Sequence, residues 1–201
     1  MTAQHPVGVR QHLARVTYDI HEALHHDPVL SVLNGPALTS RAYHAALTVF
    51  CMFYHSVERE RLRLGARDVY ALHDECTALL RDLDGRTPDA PDLSLPNDMQ
   101  LLGALYVAHG ASFGRGTFRA NVTRLLPDHS HAFASLRTEA RRWKMLVAVL
   151  EDAGQDAAAL RHIQTGATRA FAYVDRAARS LDTPATVAPH AHDRSESVVV
   201  T

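Results

Sequence analysis

Apolar residues recur along this chain at intervals of three and four, and no convincing alternating run interrupts them. That period belongs to helices that bury one face against a shared core. Leu13, Val16, Ile20 and Leu24 form a first stripe ending near Pro28. Tyr43, Leu47, Phe50, Tyr54 and Val57 form a second, which runs on into the arginine-rich RERLRLGAR, and a third spans residues 68–83. The stretch DGRTPDAPDLSLP carries three prolines and predicts a loop. Asn97 followed by Gln100 has the spacing of a capping box that opens the next helix. Phe133, Leu136, Ala140, Trp143, Val147 and Leu150 make the cleanest stripe, closed by Gly154. Leu160, Ile163, Ala167, Phe171, Val174 and Leu181 make the last. The expected architecture is one all-α domain of six or seven helices over residues 1–182. Residues 183–201 lack a stripe and read as a disordered tail.

One helix departs from this economy. Residues 101–118, LLGALYVAHGASFGRGTF, read as helical yet hold four of the chain's ten glycines: Gly103, Gly110, Gly114 and Gly116. Each costs roughly 1 kcal/mol against alanine in a helix interior, about 4 kcal/mol together. Two accounts offset such a cost. Small residues let two helix backbones approach closely, or a bare backbone lies against a flat ligand, with a bend in the helix. Gly110 and Gly114, four apart, share a face.

Composition narrows the partners. The net charge is −1, and Lys144 is the sole lysine among 21 basic residues. No global field favours nucleic acid or an anionic membrane. Cys51 and Cys76 lie inside apolar helical patterns, which points to a reducing compartment. The N-terminal residues lack a signal-peptide core, and no apolar run approaches the ~18 residues of a membrane span. A cytoplasmic protein is expected. Of 14 histidines, His21 stands at the border of the first stripe, and His25 and His26 fall near that helix's end, where a cation suits the dipole.

The first helix, with Leu13-x3-Thr17-x3-His21, is similar to the opening helix of haem oxygenases. LGALYVAHGASFG at 102–114 resembles their distal-helix signature, which in bacterial members reads approximately G-x-L-Y-V-x-E-G-S-x-L-G-G; Gly103, Leu105, Tyr106, Val107, Gly110 and Gly114 match. RRWKMLVAVLEDAG and TGATRAFAYVDRAA resemble later parts of the pattern, particularly in the biliverdin-forming branch associated with bacteriophytochromes. The resemblance spans residues 8–181 and implies a helical bundle with haem between a proximal helix and a kinked distal helix. It makes His21 the axial iron ligand, and Gly110 and Gly114 the distal face on which ring cleavage depends. Haem propionates need basic partners; Arg10 and Arg15 on the first helix, and Arg169 with Tyr173 on the last, are the candidates. The imidazole's other nitrogen calls for an orienting partner, a role not given to Glu22, which is offset by about 100° on a helix.

Three positions differ from the family pattern. Its glutamate before the first distal glycine is His109 here, the serine or aspartate after that glycine is Ala111, and the second glycine of the closing pair is Arg115. The basic position seven residues before the histidine is Ala14. The implied activity is oxidative cleavage of haem at a meso carbon to biliverdin, CO and Fe²⁺, with O₂ as co-substrate. Haem is then both substrate and cofactor. Electrons must come from a ferredoxin or a reductase, since the chain has neither a dinucleotide fingerprint nor a cysteine set for an iron–sulfur cluster. Residues 59–67 offer a basic docking segment, and a bacteriophytochrome is the implied recipient of biliverdin. The altered distal positions keep a second reading open, a haem- or tetrapyrrole-binding protein without turnover. A third is a non-haem di-iron site using Glu22 with His25, or His55 with Glu58, at i,i+3 spacing.

Overall fold

The computed structural model describes residues 8–182, which are helical with no strand among them. The tail expected from residue 183 lies outside the described residues. The helices are α1 (Val9–Val16), α2 (Tyr18–His25), α3 (Ser40–Arg63), α4 (His73–Asp82), α5 (Asp98–Ala111), α6 (Arg115–Leu125), α7 (Ala132–Ser135), α8 (Ala140–Ala153) and α9 (Ala157–Asp182), with short 3-10 turns at Ser31–Asn34, Asp68–Tyr70 and Ser112–Gly114. None is long and apolar enough to cross a membrane.

Three breaks account for the helices beyond the expected six or seven. The first stripe divides at Thr17, whose hydroxyl donates to the Leu13 carbonyl at 2.8 Å. Such back-bonding competes with the regular ladder and bends helices. Before the break Leu13 is buried and Val16 exposed; after it Ile20 and Leu24 are only half-buried. The glycine-bearing stretch divides at Ser112–Gly114. The stripe from Phe133 to Leu150 divides at residues 136–139, which are not helical. Leu146 and Leu150, rather than Val147, then carry α8 into the core.

Other boundaries follow the local chemistry. α3 ends at Gly65, whose φ of +66° suits glycine; the Ala66 amide reaches back to the Arg61 carbonyl and the Gly65 amide to that of Leu62, the paired closure of a left-handed helix cap. Asn97 caps α5 by accepting from the Gln100 amide at 3.0 Å. The Gln100 side chain does not return the bond, because its oxygen accepts from Arg169 instead. Residues 84–96 form the expected loop, pinned by buried Leu93 and Leu95 and by the Glu60 carboxylate, which accepts from the Leu95 amide.

α5 is the centre of the bundle. From Gln100 to His109 every residue except Tyr106 is buried. Its most extensive contact is with α9, and two glycines make it possible. A Cβ on Gly103 would lie 2.0 Å from the Ile163 carbonyl oxygen, and one on Gly166 would lie 1.9 Å from that of Gln100. The backbones therefore touch. Close helix packing is the account that holds for Gly103.

Candidate functional site

α2 carries His21 on an exposed face. Its imidazole is about half accessible, with Nδ1 3.7 Å from Glu22 Oε1. The ring meets His25 edge-on at 4.6 Å and Phe171 of α9 edge-on at 5.7 Å. Partial burial, then repulsion from His25, holds its pKa below the ordinary value, against an opposing pull from Glu22. The neutral form with a free lone pair prevails at neutral pH. The angular offset on the helix does not keep Glu22 away, because its side chain is long enough to reach round to the imidazole. The chain at 21–25 reads His-Glu-Ala-Leu-His. This H-E-x-x-H spacing puts two imidazoles on one helical face, a zinc-binding pattern. It is the sequence signal that a haem-centred reading passes over.

The bare glycines lie at the other end of α5. The 3-10 turn at Ser112–Gly114 interrupts the helix where a kink is expected. A Cβ on Gly110 would meet the Trp143 ring at 3.7 Å, an ordinary contact, and one on Gly114 or Gly116 would meet nothing within 4 Å. Trp143 packs on Tyr106 and, edge-on, on half-exposed Phe113, each at 5.5 Å. The face over Gly110 is thus lined by an indole from α8. The edge at Gly114 is open.

The two polar departures turn inward. His109 is buried, donates from Nε2 to the Tyr70 carbonyl at 3.3 Å, and has its pKa pushed down to about 4 by burial, with Arg142 and Arg115 adding to the effect. Arg115 is buried against Glu75 at 3.3 Å and lies over the Phe133 ring. Among the described residues, Glu75 Oε2 and Arg115 Nε have no hydrogen-bond partner. Beside them lies a cavity of about 140 Å³, lined also by Ser112, Arg142 and Trp143. It is smaller than the roughly 300–1,000 Å³ of ordinary small-molecule sites, so it cannot take a tetrapyrrole.

The expected propionate partners do not converge. Arg10 and Arg15 are exposed on α1; the Arg10 amide donates to Glu151, and the Arg15 guanidinium lies 3.4 Å from His12. Arg169 donates to the Ser94 carbonyl and to Gln100, tying α9 to the start of α5. Tyr173 is fully buried; its hydroxyl donates to the Met52 carbonyl at 3.1 Å and shares a 2.8 Å bond with Ser56. Both residues stand two positions from Phe171, about 200° round the helix. With Phe171 toward His21, they must face elsewhere.

The basic segment at 59–67 is largely engaged. Arg61 is buried against Glu58 and Asp68, Arg63 pairs with Glu60, and Arg59 reaches Asp92. Glu58, of the alternative His55–Glu58 pair, holds Arg61 with both oxygens and also accepts from the Leu72 amide, so its carboxylate is already engaged. No protein-family model matches the chain, and no curated protein matches it.

Proposed function

We propose that this protein is a haem oxygenase in which His21 holds the iron and the open edge at Gly114, beyond the Trp143 indole that covers Gly110, overlies the macrocycle. The observation that supports this most is His21 itself, a half-exposed imidazole kept neutral and walled by Phe171. A neutral imidazole is a good axial ligand, and an aromatic wall limits its ring to few orientations. The break in α5 and the open edge at Gly114 add to it. Bound haem supplies the iron and the ring to be opened, with O₂ and external electrons from a ferredoxin or reductase. This chain contributes ligation at His21, an apolar wall, and a glycine edge without a side chain to hold the ring away.

The distal edge favours a second reading, haem binding without turnover. Gly110, Ala111, Phe113 and Gly114 present no side-chain hydrogen-bonding group, and the nearby His109, Ser112 and Arg115 are buried. The experiment is anaerobic reconstitution with haem, then addition of O₂ and a reductant. Loss of the Soret band with growth of biliverdin absorbance supports the enzyme, and a stable oxy or ferric complex supports the binder. His21→Ala is expected to alter the axial ligation with the fold retained; an unchanged haem spectrum removes His21 from the site.

A further inference from the structure

We infer that residues 21–25 form a mononuclear site for a divalent transition metal, with Zn²⁺ as its type ion, held by His21, Glu22 and His25. One ligand atom from each of these side chains lies within 4.8 Å of the other two. Zinc bound at about 2.0–2.2 Å in tetrahedral geometry needs its ligand atoms some 3.3 Å apart. Modest rotamer changes of the exposed His25 and half-buried Glu22 side chains close that gap around His21. The two imidazoles come from adjacent turns of one helical face, as H-E-x-x-H spacing requires. Their rings already stand 4.6 Å apart.

Two further features favour a cation here. His25 lies in the last turn of α2, where the carbonyl ends of the helix attract positive charge. Glu22 brings a full negative charge 3.7 Å from the first imidazole. Two nitrogens and one carboxylate oxygen suit Zn²⁺, Ni²⁺ or Cu²⁺ better than Mg²⁺ or Ca²⁺, which prefer oxygen alone. In hydrolases with this motif the glutamate is the general base and a further ligand comes from another element. Here the glutamate stands among the ligand atoms, and the group of three is confined to α2. The site therefore binds metal, with water completing the shell, and no hydrolysis is assigned to it.

This inference is independent of haem binding but shares His21 with it. Isothermal titration of the full-length, haem-free protein with ZnCl₂ in chelator-free buffer tests the site. His25→Ala is expected to lose one tight equivalent relative to wild type, with affinity at that site falling at least tenfold. Glu22→Gln, which keeps size and helix propensity, is expected to weaken the same equivalent several-fold. Identical titrations for wild type and both variants would overturn the assignment. Haem titration of His25→Ala keeps the two readings apart, because that variant loses zinc and retains haem; failure of His21→Ala to alter haem ligation counts against the haem reading alone.

Discussion

At Gly103 an added Cβ would run into the Ile163 carbonyl, whereas at Gly114, further along the same stretch, it would meet open space. Both positions have glycine, and both read alike in a sequence that packs four into eighteen residues. Their reasons are opposite. The first permits two buried backbones to touch across α5 and α9; the second leaves an exposed edge at a break between α5 and α6. A glycine that costs helix stability is thus explained by its surroundings rather than by its own conformation, since Gly114 has ordinary right-handed helical angles.

The largest effect is expected at the buried end. Gly103→Ala or Gly166→Ala must push a backbone aside, and overpacking of that kind should cost about 3 kcal/mol. A fall in the urea midpoint at unchanged slope is the measurement. An unchanged midpoint would break the contrast with Gly114.

Next comes His109, which sits between the two ends with its ring in the core. Its folded pKa of about 4 lies below the ordinary 6.5, so the unfolded chain binds the proton more readily. Stability from this group is complete above pH 6.5 and is lost as pH falls toward 4, amounting to about 2 kcal/mol at pH 5. Urea unfolding at pH 7 and pH 5 measures it against His109→Gln, which is expected to show a shallower dependence. An equal slope in the variant assigns the loss elsewhere.

The smallest effect on the fold belongs to the open end. Gly114→Ala should leave stability unchanged or raise it by up to about 1 kcal/mol, because alanine restricts the unfolded chain and fits helical angles. If the edge bears on haem, the same variant loads haem more weakly. Stability kept and haem affinity lost is the pattern that separates a ligand edge from a packing glycine.

Much of the fold was legible because its signals are local. The stripes of α3 and α9, the cap at Asn97 and the proline-bearing loop each depend on residues close in sequence. What failed depended on distance or direction. The first stripe breaks at Thr17, whose hydroxyl donates to Leu13, and Val16 beside the break is exposed. Arg169 and Tyr173 were drawn to Gln100, Ser94, Ser56 and Met52, partners from other elements. The candidate site was legible at His21 and at the glycine break. Glu22 and His25 enter the sequence reading only as a di-iron pair, because a helical-wheel angle that ignores side-chain length separates Glu22 from His21.

Helical character, the start of α5 at Asn97 and the candidates His21 and the glycines of residues 101–118 could be read from the chain alone, because propensity, capping and periodicity act within a few residues. Which glycine serves packing and which stands open, and the inward turn of Arg115 and His109, emerge once the helices are packed. The tertiary structure also decided that His21 has Glu22, His25 and Phe171 around it. Those outcomes depend on how α5, α8 and α9 lie against one another, and a side chain's direction and desolvation are properties of its neighbours.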